Sequence, residues 1–236
     1  MEADKKPKET GKLTDNAWLL VLSVLGLIGL FSYLKLQDQV FPSAAINFAL
    51  TKDQIMEEAS MWKGKVKIPG TYPISSATFN LDNASKNFLD FKLGTKEANR
   101  IMSEEAPIFW WDIKYAEPKN DETVEIQLSP DGKLVALEYY LSKDRALPNI
   151  SHEEAKAKAL EFISGLTGTA IDQFAIKQDT TTPRSNRIDH SFTLENKNYD
   201  WAGAKLRTNI TYSGNLLTEY NAFVHKPEAW DRQYSK

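Results

Sequence analysis

The hydrophobic positions of this chain divide it into one continuous apolar run and a longer stretch of mixed character. The run AWLLVLSVLGLIGLFSYL, Ala17 to Leu34, carries no charge. As a helix it would extend about 27 Å, close to the hydrocarbon thickness of a bilayer. Trp18 and Tyr33 lie near its two ends, where amphipathic rings favour the membrane interface. We therefore predict a transmembrane helix over residues 17–35, with the lipid bilayer as its partner.

The residues on either side of this run indicate its orientation. The preceding tail, residues 1–16, contains Lys5, Lys6, Lys8 and Lys12, and lysines favour the cytoplasmic side. The rest of the chain would then lie outside the cytoplasm, after a linker at residues 36–49. A cleaved signal peptide is the alternative, since residues 43–45 are small. The apolar run is longer than the usual signal core of about 7–15 residues, which favours a retained signal anchor.

Two helix starts of the same type lie one hundred residues apart. Thr51 and Gln54 have the spacing of a capping box, and so do Ser151 and Glu154. Apolar residues follow at helical intervals in both cases, and Gly64 is placed to end the first helix. The similarity of LTKDQIMEEA and ISHEEAKAKA indicates an internal repeat.

Each predicted helix precedes segments with strand character. A short helix is also predicted from Thr95 to about Ser103, and turn residues at 130–132 and 213–215 predict hairpins. This order predicts an α+β fold with two tandem helix-plus-antiparallel-sheet units, residues 50–148 and 149–227, before a tail at 228–236. The predicted strand segments are TYPISSATFNL, NFLDFKLG, IFWWDIKY, TVEIQLSP, KLVALEYYL, QFAIKQ, RIDHSFTLE, AKLRTNITYS and NLLTEYNAFVH.

The charge and cysteine content exclude several classes of function. Lysine and arginine total 29 against 32 aspartates and glutamates, a net charge of −3. This balance gives no general attraction to phosphate backbones, so we expect no nucleic-acid partner. The absence of cysteine excludes disulfides, thiolate metal sites and a cysteine nucleophile.

The sequence contains no complete catalytic motif. His152 and Glu153 begin an HExxH pattern, but Lys156 occupies the position of the second histidine. His190 and His225 have no companion at metal-ligand spacing, and the GxSxG, Walker and GxGxxG motifs are absent. We therefore predict no catalytic residue, no metal site and no cofactor in this chain.

The densest polar segment, PRSNRIDHSFTLE, supplies the candidate binding residues. Strand alternation places His190 with the apolar side chains, as a partly buried histidine, and Arg187 beside Asp189 on the other face. An ordinary surface ion pair is one interpretation of Arg187 and Asp189. The functional interpretation is that Arg184 and Arg187 bind a peptide carboxylate or a lipid phosphate. Trp111, one of two adjacent tryptophans that face opposite sides of a strand, is a further candidate.

Several motifs together resemble a known family. RIDHSFTLE, the P-D-G turn, the S-x-E-E-A helix start and K-P-E-x-W are similar to the extracytoplasmic N-terminal region of bacterial CPBP-family (Abi, CAAX-protease-like) intramembrane metalloproteases. The resemblance covers Ala17 to Arg232 and implies PepSY/cystatin-like units. Lys114 stands where that family would have arginine. The catalytic E-E-x-x-x-R motif is missing, because Trp62 stands where the arginine after Glu57 and Glu58 would be.

These observations lead to an expected function. The resemblance implies a membrane-anchored, non-catalytic extracytoplasmic module that binds peptide, envelope or protein partners and regulates a membrane protease. The expected location is the cytoplasmic membrane, with a single crossing. The alternative is the N-terminal part of a metal-dependent intramembrane endopeptidase whose active site lies beyond residue 236.

Overall fold

A computed structural model describes residues 12–41, 46–70, 72–116 and 121–234 of the chain. Its first element is helix α1, Lys12–Val40. Within α1, Ala17–Gln37 is long and apolar enough to cross a membrane, and none of this segment is buried against the rest of the protein. The predicted apolar helix is confirmed and is compatible with a membrane anchor. Its location in a membrane and its orientation remain predictions.

The remaining elements form two helix-led groups of strands. In chain order they are α2 (Lys52–Lys65), β1 (Ile74–Leu81), α3 (Asn83–Leu93), α4 (Thr95–Glu104), β2 (Phe109–Ala116), β3 (Thr123–Leu128), β4 (Leu134–Tyr140), α5 (His152–Thr167), a 3-10 turn (Ile171–Gln173), β5 (Phe174–Pro183), β6 (Ile188–Trp201), β7 (Ala204–Ser213), β8 (Leu216–His225) and α6 (Glu228–Tyr234).

The eight strands form one antiparallel sheet in the order β1-β2-β3-β4-β8-β7-β6-β5. The last strands of the two groups, β4 and β8, pair at the centre, with Leu137 opposite Tyr220. The α+β class with antiparallel strands is confirmed. Two tandem units would be expected to form two separate sheets. The structure instead has one continuous sheet, because the pairing of β4 with β8 joins residues far apart in the sequence.

One face of the sheet is apolar and carries helices α2 and α5. In β3 the side chains of Val124, Ile126 and Leu128 are fully buried and alternate with partly exposed polar ones. Ile55 of α2 and Ile163 of α5 belong to the same core as these residues. The helix starts are confirmed in detail, since both predicted caps accept hydrogen bonds from backbone N–H groups.

A second core lies under α3 and α4. Phe88, Ile101 and Val224 are buried in it. The segment NFLDFKLG, predicted as a strand, is instead part of α3, because the Asp82 carboxylate accepts hydrogen bonds from the N–H groups of Ala84 and Ser85 and starts a helix. The prediction of a helix from Thr95 is confirmed. Helix α6 was not predicted.

Candidate functional site

The structure brings together three of the five predicted site residues, Arg184, Arg187 and Asp189, all in or next to β6. Arg184 Nε lies 2.8 Å from Asp189 Oδ2, and Arg187 Nε lies 2.9 Å from Asp189 Oδ1. Arg187 and Asp189 are only 7% and 6% exposed. The interpretation of this pair as an ordinary surface ion pair is therefore wrong, since the chain segment after β4 covers it.

Arg187 holds this covering segment, residues 141–150, in place. Its Nη1 donates hydrogen bonds to the carbonyl oxygens of Ser142 and Arg145, at 3.1 and 3.0 Å. Burial alone would raise the pKa of Asp189, yet hydrogen bonds from Arg184, Ser213 and Arg187 hold that pKa below its usual range. The geometry gives Arg187 a role in joining the two halves of the chain. Of the two arginines that contact Asp189, Arg184 is the one that faces solvent, since its side chain is 51% exposed.

A buried carboxylate holds the same segment from its other side. Glu122 accepts hydrogen bonds from the hydroxyls of Tyr72 and Tyr139, at 3.1 and 2.6 Å, and its Oε1 lies 3.5 Å from Arg145 Nη1. Burial raises the pKa of Tyr139, and the Glu122 carboxylate raises it further. The backbone of Arg145 thus meets Arg187 while its guanidinium meets Glu122.

His190 is a buried, hydrogen-bonded histidine, and its predicted direction is confirmed. It is 3% exposed and belongs with the buried side chains of Phe192 and Leu194. Its Nδ1 lies 3.0 Å from Thr181 Oγ1 and its Nε2 lies 3.2 Å from the carbonyl oxygen of Ile150. Since a carbonyl only accepts, Nε2 is the nitrogen that donates. Across the described ranges no cluster of three or more histidines and carboxylates is arranged to hold a metal ion.

Trp111 lies away from Arg184, Arg187 and Asp189. It belongs to β2, five strand spacings from β6 in the sheet order, which is roughly 24 Å. Its ring packs against Phe79 at 5.4 Å between centroids and against Phe48 at 6.5 Å. Trp111 therefore contributes to packing on the helix-covered face and does not join the predicted arginine site.

The sequence interpretation missed a cleft. It encloses about 540 Å³ on the helix-covered face. The ends of α2 and α5 contribute Trp62 and Leu166, and the sheet contributes Tyr199, Tyr220 and Ala222. The end of α4 and the hairpin between β3 and β4 complete the walls. No local pattern could have identified it, because its lining comes from segments far apart in the sequence.

The charged groups at the cleft rim have partners within the protein. Glu105 lies 2.5 Å from Arg100 Nη1, and its Oε2 accepts a hydrogen bond from Trp201 Nε1 at 2.9 Å. Asp131 lies 2.8 Å from Lys133 Nζ. Burial would raise the pKa of Asp131, but hydrogen bonds from Lys133 and Ser129 bring it below its usual range. Ser129 and Asp131 both line the cleft, and the Ser129 hydroxyl donates a hydrogen bond to the Asp131 carboxylate.

The opposite face of the sheet carries a row of carboxylates. Glu125, Glu138 and Glu219 are directly opposite one another on β3, β4 and β8. Burial, together with Glu125, raises the pKa of the neighbouring Asp112 to about 6. Lys114 Nζ lies 3.2 Å from Glu125 and offsets part of this repulsion. Like charges placed directly opposite destabilise a sheet, and the sequence could not reveal them without the strand register.

Comparison with known proteins identifies a family model that matches the chain. A family model described as the YcdB, YcdC repeated domain matches residues 91–221, more than half of the chain. The matched range includes the β3–β4 hairpin, β6, β7 and β8 as far as Asn221, and Ala222 of the cleft lies just outside it. The match links the chain neither to CPBP proteases nor to PepSY units. No curated protein and no solved structure matches.

Proposed function

The chain belongs to the YcdB, YcdC repeated domain family, and on this premise we propose that it is a membrane-anchored, non-catalytic extracytoplasmic module that binds a peptide segment in the cleft. The apolar helix α1 supports the anchor. The lysines of the N-terminal tail support an extracytoplasmic domain. The cleft is the observation that carries the binding role.

The size and lining of the cleft fit a short peptide segment. Its volume of about 540 Å³ lies within the range of about 300–1,000 Å³ that is usual for ligand sites. Trp62 and Tyr199, which are both partly exposed, offer aromatic contact area with few rotatable bonds. Such side chains suit an apolar side chain of a bound peptide, with its polar backbone facing the rim.

The rim adds a preference for charge. Glu104 and Glu105 stand at the end of α4 and share Arg100 with Glu97, while Asp131 pairs with Lys133. Four carboxylates thus pair with two basic groups in and beside this part of the rim. We expect a bound peptide to place a basic residue beside Glu104, whose side chain is 63% exposed.

The fold also supports a proposal about its origin. We propose that residues 50–148 and 149–227 are two copies of one helix-plus-four-strand unit of the PepSY/cystatin-like type. Both α2 and α5 begin at a hydroxyl cap and precede four strands, and the strand order is mirrored about the β4–β8 pair. The matching family is itself described as a repeated domain.

The motif resemblance to CPBP proteases supports a regulatory role toward a membrane protease as a further hypothesis. The alternative function, the N-terminal part of a metal-dependent intramembrane endopeptidase, makes a separate prediction. If this alternative is correct, the reading frame that encodes the chain would continue beyond Lys236 into hydrophobic helices that carry an E-E-x-x-x-R motif.

The binding role is tested with the full chain in lipid nanodiscs. Peptides are selected from a display library on the unmodified protein and then measured against Ala222→Phe, which adds a ring to the floor of the cleft. We expect at least about a tenfold loss of affinity, or about 1.4 kcal/mol. Ala157→Phe adds the same ring on the exposed side of α5 and should leave affinity unchanged.

Circular dichroism and thermal unfolding establish that both variants are folded before binding is compared. Selected peptides that bind Ala222→Phe as tightly as the unmodified chain would show that the cleft is not the binding site.

A further inference from the structure

We propose that a small aromatic and cationic surface, formed by Phe91, Lys92 and Trp230, docks on the lipid headgroups of the bilayer that holds α1. This inference rests on the proposed membrane anchor. It adds a second contact between the domain and the membrane, and it fixes which side of the domain faces the lipid.

The surface lies close to the point where the chain leaves α1. Asn99 of α4 donates a hydrogen bond from its Nδ2 to the carbonyl oxygen of Phe41, at 3.0 Å, immediately after α1 ends. Gly94 alone separates α4 from α3, which carries Phe91 and Lys92. The anchor therefore brings this part of the domain to the membrane interface, because a tethered surface meets its partner at high effective concentration.

The aromatic part of the surface is held in place by the core beneath it. Trp230 of α6 packs against the buried ring of Phe88, with centroids 5.1 Å apart and an interplanar angle of 88°. Phe91 also packs against Trp230, with ring centroids 5.3 Å apart, and is 66% exposed. A large apolar side chain so exposed is expected where a surface meets an apolar or interfacial partner.

One basic group lies against these rings, and further basic residues are exposed on the adjoining helices. Lys92 Nζ lies 5.7 Å from the centroids of both Phe91 and Trp230. Lys96 and Arg232 are exposed in the neighbouring helices α4 and α6. Tryptophan with lysine and arginine is the combination favoured at the membrane interface, where rings lie at headgroup level and cations meet lipid phosphates.

The dimensions favour lipid over a protein partner. A stable protein interface buries at least about 1,000 Å² in total, whereas the rings that form this surface belong to two residues. A bilayer needs no such area from a domain that is already tethered, since the tether has removed most of the entropic cost of association.

The absence of cysteine from the chain allows a clean measurement of membrane depth. Single cysteines are introduced by Phe91→Cys and, separately, by Lys92→Cys, which keeps both rings. Each full-length variant carries one nitroxide spin label and is placed, one copy per disc, in nanodiscs of phosphatidylcholine and phosphatidylglycerol. Collision with oxygen and with a water-soluble nickel complex then reports depth.

Two further labels serve as controls. Ile171→Cys marks an exposed site between α5 and β5, with a parent side chain 45% exposed. Leu27→Cys marks the middle of the apolar segment of α1. We expect the labels at 91 and 92 to lose nickel accessibility relative to 171, and this loss to shrink in discs of phosphatidylcholine alone.

The outcomes separate this inference from the anchor itself. A label at 27 inside the bilayer, together with labels at 91 and 92 as accessible to nickel as the one at 171, would overturn headgroup docking and leave the anchor standing. Protection of 91 and 92 that arises only when each disc holds two copies would instead identify a contact between copies and overturn the inference. Nickel access at 27 would overturn both the anchor and the docking.

Discussion

Arg187 gives the sharpest test of how the two halves of the chain are held together. Arg187→Ala would leave the buried carboxylate of Asp189 with Arg184 as its remaining arginine. It would also remove the hydrogen bonds to the carbonyl oxygens of Ser142 and Arg145. The perturbation therefore acts on the pair and on the covering segment at once.

The magnitude follows from burial. Removal of one partner from a buried ion pair costs about 3–5 kcal/mol, and because Arg184 still meets Asp189 we expect the lower end, about 3 kcal/mol. For a folded region of this size, 1 kcal/mol corresponds to a shift of about 2–4 °C in Tm, so Tm should fall by about 6–12 °C. Arg184→Ala removes a half-exposed partner and should cost about 0–1 kcal/mol.

The assay is thermal unfolding at pH 7, followed by far-ultraviolet circular dichroism on the full chain in nanodiscs. Arg184→Ala is the matched control, since it removes the other arginine of the same carboxylate. Equal, small changes in Tm for both variants would refute the buried role of Arg187. A variant that carries both Arg184→Ala and Arg187→Ala tests the anion-site hypothesis. If it folds and still binds the selected peptides, that hypothesis is wrong.

Two further predictions concern the sheet and its turns. The pKa of Asp112 is raised to about 6 in the folded chain, so the folded state binds more protons than the unfolded state between about pH 4 and pH 6. The free energy of unfolding should therefore fall as pH rises through this window. In urea titrations, Asp112→Asn should flatten this pH profile and add on the order of 1–2 kcal/mol of stability at pH 8. An unchanged pH profile would contradict the raised pKa. Gly214→Ala places a Cβ 2.7 Å from Leu147 Cβ at a φ of +55° and should destabilise the folded chain by about 2 kcal/mol or more. The control Gly165→Ala, which has open space around it within α5, should stabilise the folded chain by about 0.5–1 kcal/mol. Equal effects of the two variants in thermal unfolding would contradict the close approach of Gly214 to Leu147.

Local sequence signals predicted the elements that depend on local chemistry. The caps at Thr51 and Ser151 act through side chains within three residues, and the turns at 130–132 and 213–215 depend on their own backbone preferences. The segment TVEIQLSP was predicted as a strand, and most of it forms β3. Segment NFLDFKLG was mistaken for a strand because its apolar residues are dense, and the cap at Asp82 decides in favour of a helix.

The features that depend on distant pairing could not be predicted. Nothing in the segment of Leu137 or in that of Tyr220 indicates that β4 and β8 pair, yet this pairing merges the two strand groups. The same long-range packing buries Arg187 and Asp189, which strand alternation alone placed on an outer face. The cleft and the carboxylate row also arise only once the strand order and register are known.

The accessibility of the cleft in cells tests the central claim most directly, namely that an anchored module presents this cleft outside the cytoplasm. Ser103→Cys places a single thiol at the exposed rim of the cleft, and Lys8→Cys places one in the N-terminal tail. In intact spheroplasts, a membrane-impermeant maleimide should label the membrane-bound chain at position 103 but not at position 8, and a selected peptide should slow labelling at 103. Labelling at position 8 with protection at position 103 would contradict the account.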